Sequence, residues 1–69
     1  MKKYAWSFIS FFNNEMLMGL GWFDNEVEAL AHALRSGGFE IYTDAYESAE
    51  DVKVHAFDCD AMVGALQID

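Results

Sequence analysis

Residues 4–22 read YAWSFISFFNNEMLMGLGW, and the alternation of their large side chains decides the fold. Successive side chains of an extended chain leave opposite faces. Tyr4, Trp6, Phe8, Ser10 and Phe12 therefore point one way, and Ala5, Ser7, Ile9 and Phe11 the other. Aromatic enrichment at period two reads as a β-strand. Asn13-Asn14 follows as a turn signal, because asparagine tolerates positive φ. Over residues 15–22 the alternation resumes, with Met16, Met18, Leu20 and Trp22 on one face and Gly19 and Gly21 opposite. The stretch predicts an antiparallel hairpin. Its glycines signal a bulge or the close approach of another backbone.

Beyond the hairpin, Asp24 or Asn25 can cap a helix, and Asn25 with Glu28 resembles a capping box. Glu26 and Glu28 fall in the first turn, where the helix dipole favours negative charge. Val27, Leu30, Ala31 and Leu34 form one apolar stripe, Arg35 falls in the last turn, and Gly37-Gly38 ends the helix. Residues 39–43 read as a third strand with Phe39 and Ile41 on one face. Residues 44–51 are polar and acidic, and Ser48-Ala49-Glu50-Asp51 fits a turn or a single helical turn. Residues 52–57 read as a fourth strand with Val52, Val54 and Ala56 inward. Asp58 to Asp60 then cap a short terminal helix over residues 61–66, which Gly64 weakens by ~1 kcal/mol relative to alanine. The expectation is one α+β domain spanning residues 1–69, a small antiparallel sheet in the order ββαββ with a short C-terminal helix and one main helix packed on one face. The hairpin is apolar on both faces, as Phe8 and Phe11 illustrate. Its second face needs cover from the terminal helix, another subunit or a target.

At 69 residues only about 60% of the unfolded surface is buried on folding. Small scaffolds compensate with disulfides, metals or self-association. The single cysteine, Cys59, excludes an internal disulfide and fits a reducing, cytoplasmic setting. Counting glycine in place of tyrosine, 39 of 69 residues are apolar, above the usual ~45–50% and incompatible with disorder. So many large side chains exceed what a small core hides, which points to an exposed patch or a dimer interface. No run approaches the ~20 apolar residues of a membrane span, and no signal peptide is expected after Met1-Lys2-Lys3.

The charge is lopsided. Residues 1–35 carry four acids and three bases, net −1, whereas residues 36–69 carry eight acids and one base, net −7. Phosphate contacts need clustered lysine or arginine, so direct nucleic-acid binding is disfavoured, as are anionic membranes. The natural partner is a basic protein surface.

Motifs for catalysis are weak. His55, Asp58, Cys59 and Asp60 offer metal-ligand types, but structural zinc sites pair their cysteines or histidines at short spacing, and here one cysteine stands alone. Flanking aspartates disfavour a reactive thiolate at Cys59. His32 lies one position past the apolar stripe, as a boundary or surface histidine. Asp44, Glu47, Glu50 and Asp51 lack the alternating ligands and glycine of a calcium loop and the apolar pocket that would tune one for hydrolysis. No phosphate-binding glycine loop or nucleophile elbow is present, and Tyr4, Trp6, Phe8 and Trp22 lack the cations of a base-stacking sheet. Neither catalysis nor a cofactor is expected.

The leading expectation is a partner-binding inhibitor or modulator. Spaced carboxylates on a rigid scaffold can stand in for a phosphate backbone and occupy a basic cleft, as phage-type anti-defence and anti-CRISPR proteins do by class analogy. Asp44, Glu47, Glu50 and Asp51 are the expected contacts, extended by Glu40, Asp58 and Asp60, with Trp6, Trp22 and Tyr46 as candidate anchors if they are exposed. The alternatives are a homodimeric assembly module built on the surplus apolar face and a small metal-binding domain using His55, Cys59, Asp58 and Asp60.

Overall fold

The computed structural model describes residues 1–45 and 48–68. The hairpin forms as its alternation dictates. Strands β1 (Lys2–Ser10) and β2 (Met16–Phe23) pair antiparallel, with Trp6 opposite Gly19 and Phe8 opposite Leu17. Asn14 takes the left-handed conformation at φ 59°. The Asn13 side-chain oxygen accepts the Glu15 N–H at 3.0 Å, and the Ser10 N–H donates to the Glu15 carbonyl at 2.8 Å. Phe11 and Phe12 belong to this turn rather than to the strand.

Helix α1 (Glu26–Ser36) starts where the sequence places it. Asn25 is extended and its side chain accepts the Glu28 N–H at 3.0 Å, satisfying one of the orphan donors at the helix start. Leu30, Ala31 and Leu34 are fully buried together with Ala29 and Ala33. The helix stops in a two-bond left-handed cap. The Gly38 N–H bonds the Arg35 carbonyl at 3.0 Å and the Phe39 N–H bonds the Leu34 carbonyl at 3.1 Å. Gly38 itself sits at φ +96°, a conformation costly for any residue with a Cβ.

The C-terminal half departs from the sequence reading in three places. Residues 39–43 form no strand. The chain runs through them without a ladder partner into a single 3₁₀ turn, Thr43–Ala45. Phe39 and Ile41 still face inward, Phe39 with its ring 5.9 Å from that of Phe8. The Arg35 guanidinium donates to the Ile41 carbonyl at 2.9 Å, serving in place of a strand neighbour.

In the second place, the predicted strand at residues 52–57 is helix α2 (Ala49–Asp58). Ser48 caps it, its hydroxyl accepting the Asp51 N–H at 3.3 Å, and Glu50 and Asp51 sit in the first turn where the dipole favours them. Val52 and Ala56, four apart, are buried on one face, while Val54 turns out to solvent at 53% exposure. The alternation of Val52, Val54 and Ala56 was a coincidence with a period of 3.6.

The third correction follows from the second. Asp58 to Asp60 end α2 instead of starting a helix. Asp60 is left-handed at φ 58°, and its N–H bonds the Phe57 carbonyl at 3.1 Å. The predicted terminal helix is strand β3 (Ala61–Gln67), which lies antiparallel to β1 with Val63 opposite Phe8.

The product is an α+β fold of two layers. A three-stranded antiparallel sheet in the order β2-β1-β3 carries α1 across one face, and α2 lies beside α1 over β3. Between the layers, the large side chains buried completely are Phe8, Leu30, Leu34 and Val52. No helix of the described residues is long and apolar enough to cross a membrane.

Candidate functional site

Parity along the strands assigns each side chain to one face of the sheet. The helix-side face carries Tyr4, Trp6 and Phe8 from β1, Leu17 and Phe23 from β2, and Ala61 and Val63 from β3. Gly19 and Gly21 share this face because rings already fill the space above them. A Cβ on Gly19 would meet Trp6 Cζ2 at 2.7 Å, and one on Gly21 would meet Phe23 Cε2 at 2.7 Å. The close approach that the glycines signalled is thus by aromatic side chains rather than by backbone. His32 on α1 is exposed and lies against both rings, 5.1 Å from Trp6 and 5.2 Å from Phe23. The Trp6 Nε1 donor is buried without an acceptor.

No described element covers the opposite face. Since both helices pack on one side, the terminal segment cannot shield the other. Met16, Met18, Leu20 and Trp22 project from β2 and Met62 and Leu66 from β3, all largely exposed, with Met18 at 71% and Trp22 at 60%. Between these two rows the small residues Ala5, Ser7 and Gly64 form the floor of an apolar trough of about 460 Å³. Lys3 is the only charged strand residue whose parity puts it on this face.

The carboxylates are distributed in the opposite sense. None of the three strands contains an aspartate or glutamate. Among the described residues, only Glu15 lies in the hairpin turn, and the other acids belong to the helices and the segments that flank them. Glu50, Asp51 and Asp58 are exposed on α2, Asp44 in the 3₁₀ turn, Glu40 before it and Asp60 in the turn into β3. Glu50 and Asp58 line one groove of about 550 Å³ between α2 and β3, together with Lys53 and the ring of Phe57. Glu40 lines a separate hollow beside Arg35. Among the described acids only Glu26 pairs with a lysine or arginine, Lys53 at 3.9 Å, both side chains partly exposed. Such a pair contributes little to stability.

The predicted contact set therefore divides. Asp44, Glu50, Asp51, Glu40, Asp58 and Asp60 all reach the surface of the helix layer, while Trp22 stands on the open sheet face and cannot join them. Tyr46 and Glu47 lie outside the described residues. Trp6 is turned into the helix side and is no surface anchor. Sequence reasoning misses the contribution of β3 to the open face, because it places Met62 and Leu66 on a terminal helix.

Helix α2 brings His55 and Cys59 together at i and i+4, with the sulfur 3.9 Å from Nε2. Among the described residues no three histidine, cysteine or carboxylate side chains gather closely enough to hold a metal ion. No protein-family model, curated protein or solved structure matches this chain.

Proposed function

We propose that this chain is a non-enzymatic protein-binding module whose acidic helix layer occupies a basic, nucleic-acid-binding surface of a partner. The observation that carries the reading is the segregation of charge, with carboxylates absent from every strand and Glu40, Asp44, Glu50, Asp51, Asp58 and Asp60 exposed on α2 and the segments around it. Glu50 and Asp58 are eight residues apart on α2, about 12 Å along its axis, so a rigid scaffold rather than a flexible tail holds them at fixed spacing. Among the described acids only Glu26 is paired with a lysine or arginine, which leaves the field of the others free to steer a basic partner. A net charge of −8 with four lysines and arginines in all disfavours nucleic acid itself as the ligand. By class analogy, some phage-type anti-defence proteins block nucleic-acid-binding proteins in this way. A lone free thiol suits the cytoplasm, where such targets reside.

The test uses the immobilised chain and a cell lysate at ~50 mM salt. Captured partners should be basic and should be released both by raised salt and by added duplex DNA. An E50Q/D51N/D58N variant should fold normally and associate about tenfold more slowly at low salt, since such charges act mainly on the association rate. Complexes that ignore salt and DNA, or an unchanged association rate in the variant, overturn the reading.

A further inference from the structure

The uncovered sheet face is an interface, and we infer that its occupant is a second copy of this chain, packed sheet against sheet in a two-fold dimer. The first ground is area. Met16, Met18, Leu20, Trp22, Met62 and Leu66 are about half to three-quarters exposed. Together they present on the order of 700 Å² of accessible surface, most of it side-chain and apolar, above the ~300–600 Å² typical of the largest patch on a monomer and near the ~800 Å² that each partner contributes to a standard interface.

The second ground is charge. A chain of net charge −8 resists self-association unless its acids stay apart. Here they do. No strand carries a carboxylate, and the described acids other than Glu15 of the hairpin turn belong to the helices and the segments that flank them, on the other side of the sheet or at its ends. Stacked sheets sit about 10 Å apart and each helix layer adds about as much, so the two acidic surfaces would be separated by roughly 30 Å, several times the ~8 Å screening length at physiological salt. The one cation of the face, Lys3, sits near the end of β1 beside Trp22, outside the trough.

Shape supplies the third ground. The tall row of Met18, Leu20 and Trp22 stands beside a floor of Ala5, Ser7 and Gly64. A two-fold axis running along β1 sets the β2 row of one copy over the β3 side of the other, where Gly64 leaves room, and makes the same contact twice. The fourth ground is the thin core, with four large side chains fully buried. A scaffold of this size commonly draws added stability from self-association, and a second copy is the one cover present whenever the chain is. The inference stands independently of the acidic-layer reading, since the dimer leaves both helix layers facing outward.

Sedimentation of the full chain between ~0.1 and ~50 µM tests it. The expected result is a species of twice the 7.8 kDa chain mass that dissociates on dilution, with a melting temperature that rises with concentration. Leu20→Glu and Leu66→Glu each bury an unpaired charge and should weaken the dimer by about a hundredfold or more. Val54→Glu adds the same charge to the outer side of α2 and should leave it unchanged. A monomer with a concentration-independent melting temperature overturns the inference, as does a dimer that survives both sheet substitutions in folded protein. A monomer that takes up an apolar dye, and loses it in Leu20→Glu, overturns it too and assigns the face to a different partner.

Discussion

The two faces of strand β2 are built from opposite materials. Toward the helices it presents Leu17, Gly19, Gly21 and Phe23, and away from them Met16, Met18, Leu20 and Trp22. The bulk of the strand's apolar volume thus points to the side with no cover. The glycines are not weak spots on the covered side, because Trp6 and Phe23 lay their rings across them. Alternation alone identifies two faces without saying which is inside. In β2 the small residues mark the inside, since the rings that bury them leave no room for a Cβ. Large apolar side chains on the remaining face are then surplus to the monomer's core and available for binding.

That comparison breaks most decisively at Phe8, the central residue of the covered face. It is 1% exposed, touches Phe39 and the end of α1, and faces Val63 across the ladder. Phe8→Ala should cost about 3–5 kcal/mol, read as a loss of cooperative unfolding in urea or a collapse of the midpoint. For a domain this small, such a loss approaches the whole stability. A cost below ~1 kcal/mol would mean that the core lies elsewhere.

A second substitution sharpens the same point from the helix side. Gly37 has an ordinary φ of −84°, so alanine is allowed by the backbone. A Cβ there would run into the Phe8 ring, which is itself 1% exposed within the core cluster. Gly37→Ala should destabilise by about 1–3 kcal/mol through overpacking alone. If the thermal midpoint instead rises, as it does where glycine merely loosens the unfolded chain, the Phe8 ring is less firmly held than the packing implies.

What the sequence conveyed differed between the two halves for a physical reason. The hairpin and α1 are specified locally, by alternation, by the Asn13-Asn14 turn, by the Asn25 cap and by Gly38. Residues 39–67 depend on a partner far away in sequence, since β3 pairs with β1 more than 50 positions earlier. A local window could not see that ladder. The stretch from Val52 to Ala56 satisfied both periods, and the Ser48 cap with acids in the first turn decided for a helix. The aspartates at 58 and 60 are equally at home before a helix and, in the left-handed conformation that Asp60 adopts, after one. The surplus of apolar residues and the acidity of the second half were legible from composition. That these occupy opposite sides of the molecule required knowing that β3 is a strand.

The gentlest test falls on the open face. Met18 is 71% exposed and contributes nothing to the buried cluster. Threonine suits a strand as well as methionine does. Below the concentration at which the chain associates, Met18→Thr should therefore change the unfolding free energy by less than about 0.5 kcal/mol, measured by tryptophan fluorescence in urea. Met18 would then matter only when a second surface is present. A loss of ~2 kcal/mol in the dilute monomer would instead show that something within the chain shields this side of the sheet. The contrast between the two faces of β2, and the dimer built on it, would fall together.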